Sequence, residues 1–238
     1  MKRLILVLCA ATLLDGCDFL PLVQGSGHLT TMTYAFTGFS TITAAQGCRV
    51  HMVPDTMYSV SVTCDDNLFS SLDVRMNGAV SVLIGLAQGK NYRDITFNAE
   101  VHMPVVVGLD LSGDSEARVD SGFASTQSVY VTLSGASLAD IKGLSCSAVN
   151  ADISGASSLS IGGTTASEAV IVSGASTVSL LACAATRAAV SVSGASVAWI
   201  NAGQISFSAS GASTLYYLGS PSIQTNNLSG ASQLVRVY

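Results

Sequence analysis

The chain has 238 residues, of which 49% are hydrophobic and only 11% charged, with a formal net charge of −5. So few charges exclude a disordered, solvated chain, because such chains are polar and highly charged. Ten basic residues stand against 15 acidic ones with no basic cluster among them, which argues against a nucleic-acid partner.

Lys2 and Arg3 precede an apolar run from Leu4 to Leu14. A helix crossing a bilayer needs about 20 apolar residues, so this run is too short to span but suits the apolar region of a signal peptide. Residues 1–16 are therefore expected to be a signal peptide. Leu14-Asp15-Gly16-Cys17 resembles the lipobox of bacterial lipoproteins, with Asp15 where a small or aliphatic residue is usual. The resemblance implies a lipid on Cys17 and a membrane-anchored protein of the cell envelope, facing outside the cytoplasm. Cleavage without lipidation, or retention of the segment as an anchor, are the other readings of the same residues. Residues 17–33, with Pro21, Gly25, Ser26 and Gly27, read as the lipidated N-terminus and a tether.

Residues 34–105 form a strand-rich, less regular part of the domain. Arg49 to Val53 and Ser59 to Thr63 alternate around the turn Val53-Pro54-Asp55-Thr56. Asp65 to Ser71 suits one helical turn capped by Asp65 or Asp66. Asn77-Gly78 between two alternating runs is a hairpin signal, and Ile95 to Met103 alternates again. An exported chain sits where disulfides are allowed, and Cys48 and Cys64 are spaced to bridge a hairpin-sized loop. Cys146 and Cys183 lie two repeats apart, which puts their strands about 10 Å from each other. That exceeds the reach of a disulfide, about 7 Å between Cα atoms, so they read as buried free thiols. No Cys-x-x-Cys and no Cys/His cluster is present, so neither a metal nor any other cofactor is expected.

From 106 to 238 one tetrapeptide organises the chain. Ser-Gly-Ala-Ser occurs six times, with glycines at Gly135, Gly155, Gly174, Gly194, Gly211 and Gly230, after a degenerate copy at Gly113. The successive spacings are 22, 20, 19, 20, 17 and 19 residues. A period near 20 marks a solenoid. With each glycine as position zero, apolar residues recur at −4, −2, +4 and +6. Leu111, Leu133, Ile153 and Val172 hold −2, for example, and Ala117, Ala139, Leu159 and Val178 hold +4. Period 2 on both sides means two strands joined at a corner. Glycine supplies the backbone freedom of that bend, and small Ser and Ala let coils stack about 4.8 Å apart. The expected fold is thus an all-β parallel helix of about 20 residues per coil, each coil leaning on its neighbours. In the last coil Gln224, Asn226 and Arg236 occupy columns apolar elsewhere, which suits either a polar cap or an end-on contact with a second copy.

Catalytic patterns are weak. Asp110 and Asp152 fall on one outward column, two coils and about 10 Å apart. Glycoside hydrolysis needs a carboxylate pair about 5–10 Å apart, but no general base, lysine or histidine joins these two in a column. Asp120, Asp140 and Glu168 read as surface carboxylates. Six near-identical Ser-Gly-Ala-Ser copies without matching histidines mark a structural device and not a nucleophile, and His28, His51 and His102 are scattered. Calcium β-rolls carry Asp in their turns, where this chain has Ser and Ala. The outward +5 column brings Trp199, the single tryptophan, beside Tyr216, a candidate patch for a protein or glycan partner.

The "LSGAS"-type corners, such as Leu133 to Ser137 and Leu228 to Ser232, behind a strand-rich region and a signal, resemble the putative auto-transporter adhesin family with the head GIN domain. The resemblance covers about residues 34–238 and implies a parallel β-helix and a surface role, with no catalytic residues to carry over. The expected function is a non-enzymatic envelope or surface protein acting as adhesin or scaffold. The alternative is a carbohydrate-binding module or a carbohydrate-active β-helix enzyme.

Overall fold

The computed structural model describes residues 20–238; the expected signal peptide and Cys17 lie outside them. In chain order the strands are β1 (Leu22–Gln24), β2 (Leu29–Tyr34), β3 (Thr41–Ala44), β4 (Arg49–Pro54), β5 (Ser59–Asp65), β6 (Leu72–Asn77), β7 (Ser81–Leu86), β8 (Asn91–Arg93) and β9 (Phe97–Met103). They continue with β10 (Gly108–Leu111), β11 (Glu116–Val119), β12 (Ser128–Leu133), β13 (Leu138–Ile153), β14 (Ser158–Val172), β15 (Thr177–Val192), β16 (Val197–Ala209), β17 (Thr214–Leu218), β18 (Ser222–Leu228) and β19 (Gln233–Val237).

The period-2 rows become the interior of a parallel β-solenoid. Before each corner, Leu109, Val131, Ala151, Val170, Val190 and Phe207 stack in one row. After it, Ala117, Ala139, Leu159, Val178, Ala198 and Leu215 stack in another. Each of these side chains is at most 4% exposed. A short third side closes the coil, where Leu144, Gly163 and Cys183 stand in register.

The corners carry a backbone ladder of their own. Each corner alanine, from Ala136 to Ala231, donates its N–H to the carbonyl of the glycine one coil below at 2.8 Å. The second serine of each corner from Ser137 to Ser213 is buried, and all of these but Ser157 donate locally or downward through Oγ. Ser137 Oγ reaches the Ser134 carbonyl at 2.8 Å, and Ser196 Oγ reaches the Gly174 carbonyl at 3.2 Å. Small polar side chains are needed at the bend because buried backbone groups must find partners there.

The stack begins one coil earlier than the repeats indicate. β3 and β4 pair in parallel with β10 and β11. Ile42, Ala44, Val50 and Met52 are buried at −4, −2, +4 and +6 from Gln46. Gln46 itself adopts φ 56 and Gly47 φ 74, so this corner turns without the tetrapeptide. Below it lie β7 and β9, and antiparallel β6, β5 and β2 then close that end. The β6–β7 hairpin forms at Asn77-Gly78, with Gly78 at φ 78. A 3-10 turn, Asp66–Ser71, follows Asp65, whose side chain makes no capping bond. The Asp65 carboxylate instead accepts from Gly27 N and Thr96 N, both at 2.7 Å. It thereby pins the segment expected to be a tether, in which β1 pairs with β8 and β2 with β5.

Two expectations are corrected. Cys48 and Cys64 are not bridged; all four cysteines among the described residues are free. The reason is topological: β9 inserts between β4 and β5, so Phe97 stands between the two thiols and their strands are about 9–10 Å apart, beyond disulfide reach. Burial pushes the Cys48 thiol up and holds Cys183 at about 12. Among these four, a thiol reagent is therefore expected to modify half-buried Cys146 first in the native chain, and all four are expected to react in denaturant without reductant. Gln224 is the second correction. It is the extra residue of a bulge between Ile223 and Thr225 and donates to Ser222 Oγ at 2.7 Å, so it does not occupy the inward row that Asn226 and Arg236 join.

Candidate functional site

Alternation along the post-corner strands aims one residue per coil outward, and strand spacing sets these about 4.8 Å apart. The resulting row runs from His51 through Arg118, Asp140, Ser160 and Ser179 to Trp199, Tyr216 and Val235. Two chemically distinct halves follow from it.

In the upper half, Trp199 and Tyr216 stack with centroids 5.3 Å apart and planes 10° from parallel. Both are half-buried, and buried Ala198, Ile200 and Leu215 fix the backbone that carries them. Such a pair contributes about 0.5–1.5 kcal/mol beyond its burial. Tyr216 covers one face of the indole. In register on the other side stands Ser179, whose small side chain covers far less of the ring than Tyr216 does. An aromatic pair next to small hydroxyls suits stacking against a sugar ring or an apolar side chain of a partner.

The lower half is charged. His51 Nε2 lies 2.9 Å from Asp120 Oδ2, and this bond holds the Asp120 carboxyl below its usual range. Arg118 is 3.6 Å from Asp120, Lys142 3.7 Å from Asp140, and Arg49 3.6 Å from Glu116. On β9, His102 bonds Glu100 at 2.9 Å through Nε2 and Asp55 at 3.1 Å through Nδ1. The Glu100 bond is the main cause of its raised pKa, with Asp55 adding to it. A shallow cleft of about 500 Å³ between β11 and β5 is walled by Arg49, His51, Glu100, Glu116 and Arg118. The two signs neutralise one another there, and these pairs are solvent-exposed, so each contributes little.

The structure brings Trp199 and Tyr216 together and aligns Gly113, Gly135, Gly155, Gly174, Gly194, Gly211 and Gly230 in one column. It keeps Asp110 and Asp152 two levels apart with Thr132 between them. Glu168 departs from expectation: it is 2% exposed, because it lies in an inward row between Val149 and Ala188. The charged half was not legible as a cluster, although the −4, −2, +4, +6 register of Gln46 would have placed His51 beside Arg118. Among the described residues no group of three or more His, Cys, Asp or Glu side chains is placed to hold a metal. No helix among them is long and apolar enough to cross a membrane.

Comparison with known proteins agrees with this architecture. The chain is similar over 90% of its length, and over all of the other chain, to a crystal structure of a putative adhesin from Bacteroides fragilis, with a TM-score of 0.81 at 18% identity. A putative adhesin from Parabacteroides distasonis matches over 91% of this chain and 100% of its own, with TM-score 0.66 and 16% identity. A putative lipid binding protein from the same organism matches with TM-score 0.69 and 14% identity, again over 91% and 100%. At these identities the likeness shows the fold. No curated protein matches the chain. The family model described as putative auto-transporter adhesin, head GIN domain, matches residues 38–221, and the chain belongs to that family.

Proposed function

We propose that the protein is a non-enzymatic component of the bacterial envelope, held to a membrane by a lipid on Cys17, whose rigid solenoid presents the Trp199–Tyr216 face for adhesion to a surface partner. The half-buried indole on a backbone locked from both sides carries this reading. Tryptophan and tyrosine on a rigid support are residue types that dominate binding energy at interfaces. Membership of a family described as putative auto-transporter adhesin, and the putative adhesins among its structural neighbours, support it. The corner serines have structural work in the ladder, and His51 and His102 are each paired with carboxylates on the charged half, away from this face.

The test uses the chain with Cys17→Ser, immobilised and exposed to a glycan array and to intact cells. Retention without release of reducing ends is expected. Trp199→Ala is expected to weaken retention roughly tenfold or more, the loss typical of a central aromatic contact, while Trp199→Tyr keeps most of it and the unfolding midpoint stays put. Release of reducing ends would replace this reading with an enzymatic one, and unchanged binding by Trp199→Ala would move the contact off this face.

A further inference from the structure

The two ends of the solenoid are built differently. At the β2/β6 end the outer strands run antiparallel to the strands they cover, β2 pairing only with β5 and β6 only with β7, and β6 carries an Asp73–Arg75 ion pair at 2.7 Å. At the other end β18 pairs only with β16, and β19 only with β17. Each corner glycine carbonyl from Gly113 to Gly211 accepts an alanine N–H from the next coil, whereas that of Gly230 has no backbone donor among the described residues. Ile223 and Leu228 remain 37% and 45% exposed although they continue the rows of buried Ile205 and Ala209.

Charge sharpens the contrast. Between Arg187 and Arg236 there is no charged residue at all, so the coils approaching this end carry none. Proteins ordinarily protect an open β edge with charge, proline or a covering segment. The cores of protein interfaces, by contrast, are depleted in charge. Arg236 itself is drawn aside to Ser220 Oγ, 2.6 Å away, and lies over the Tyr238 ring. Asn226 in the Phe207 row and Arg236 in the Tyr217 row show from the residues themselves that the apolar rows are not built to continue into another coil of the same kind.

We propose that this end binds a second copy of the chain, end to end across a two-fold axis perpendicular to the stack. Such an axis reverses the strand direction, so the edges meet antiparallel and extend the sheets through the contact. Asn226 suits it, since a carboxamide is both donor and acceptor and can pair with its own symmetry mate. Size suits it too: one coil of about 20 residues is the number that a standard interface of about 800 Å² per partner uses. The reversed outer strands and the ion pair on β6 make the β2/β6 end a poor match for the β18/β19 end, which disfavours head-to-tail addition and the open filaments it would grow.

Light scattering and sedimentation of the full chain carrying Cys17→Ser, which removes any association through a lipid, test this. A closed dimer of twice the chain mass is expected at about 10–100 μM. Asn226→Lys with Leu228→Lys places four like charges across the axis and is expected to weaken association at least about 100-fold, the scale of like-charge juxtaposition at an interface. Gln233→Lys, on exposed β19 and outside the inward rows, should do the same if the first variant misfolds. A monomer at the highest concentration overturns the proposal. So does a dimer that survives these substitutions, one that is lost instead in Trp199→Ala, or a mass that keeps growing with concentration.

Discussion

Replacing Gly135 by alanine is expected to lower the unfolding free energy by about 3–5 kcal/mol, several times the effect of the same change at Gly219. The two glycines share a backbone conformation, φ 74 and φ 77, so each substitution carries the left-handed strain of an L-residue, about 1–2 kcal/mol. Their surroundings differ. A Cβ on Gly219 meets nothing within 4 Å, whereas one on Gly135 would sit 2.5 Å from the Gly113 carbonyl oxygen and 3.1 Å from its nitrogen. That oxygen accepts the Ala136 N–H at 2.8 Å. The overlap must push the coils apart at the corner and weaken this bond and its neighbours, each worth about 1 kcal/mol net. For a chain of this size, 1 kcal/mol moves the melting temperature by roughly 2–4 °C. Gly135→Ala should therefore melt about 10 °C lower and Gly219→Ala only about 3–6 °C lower. Equal losses at both sites would mean that backbone strain alone, and not close approach of stacked corners, makes the column glycine.

How much of this was readable follows from where the information is local. The tetrapeptide fixes a zero for every coil, so period 2 on either side placed Leu133, Ala139 and Phe207 inside and Trp199 and Tyr216 outside and adjacent. The first coil escaped because Ala45-Gln46-Gly47-Cys48 stands where later coils have Ser-Gly-Ala-Ser, even though Ile42, Ala44, Val50 and Met52 keep the register. Pairings that depend on distant segments were out of reach. Cys48 and Cys64 are close in sequence, but β9 comes between them from more than 30 residues downstream. His51, Asp120 and Glu100 likewise meet only after β4, β9 and β11 have stacked. Glu168 was misread for a narrower reason. The inward rows extend one step further, to −6, where Val129, Val149, Ala188 and Ile205 are all buried, and a lone carboxylate among apolar residues in that row resembles a surface group by residue type alone.

Glu168 carries the other large effect, and it is one of pH. Neither of its carboxyl oxygens has a hydrogen-bond partner among the described residues. The Cys183 thiol lies beside it, too poorly placed to satisfy it, and offsets only part of the cost of burial, which pushes the carboxyl up to about 8. The acid is thus neutral inside the folded protein at neutral pH but ionised once unfolded. Below about pH 4.5 both states hold the proton and it favours neither. Between about 4.5 and 8 only the unfolded state releases it, so stability falls as pH rises, and above 8 the loss is complete. At about 1.4 kcal/mol per unit the fall amounts to at most about 5 kcal/mol. His102, whose raised pKa also favours the folded state at low pH, slopes the same way, so the difference between variants is what isolates Glu168. Urea midpoints at pH 5, 7 and 9 should show Glu168→Val, which continues the Val149 row, gaining several kcal/mol over the unmodified chain at pH 9 and little at pH 5. Glu168→Gln should lose the same pH slope while still burying an unpaired amide, which costs about 1–3 kcal/mol, and so should fall below Glu168→Val at every pH. A Glu168→Val curve parallel to that of the unmodified chain would show that Glu168 is ionised and satisfied in the folded state, and that the solenoid opens at this row to let water reach it.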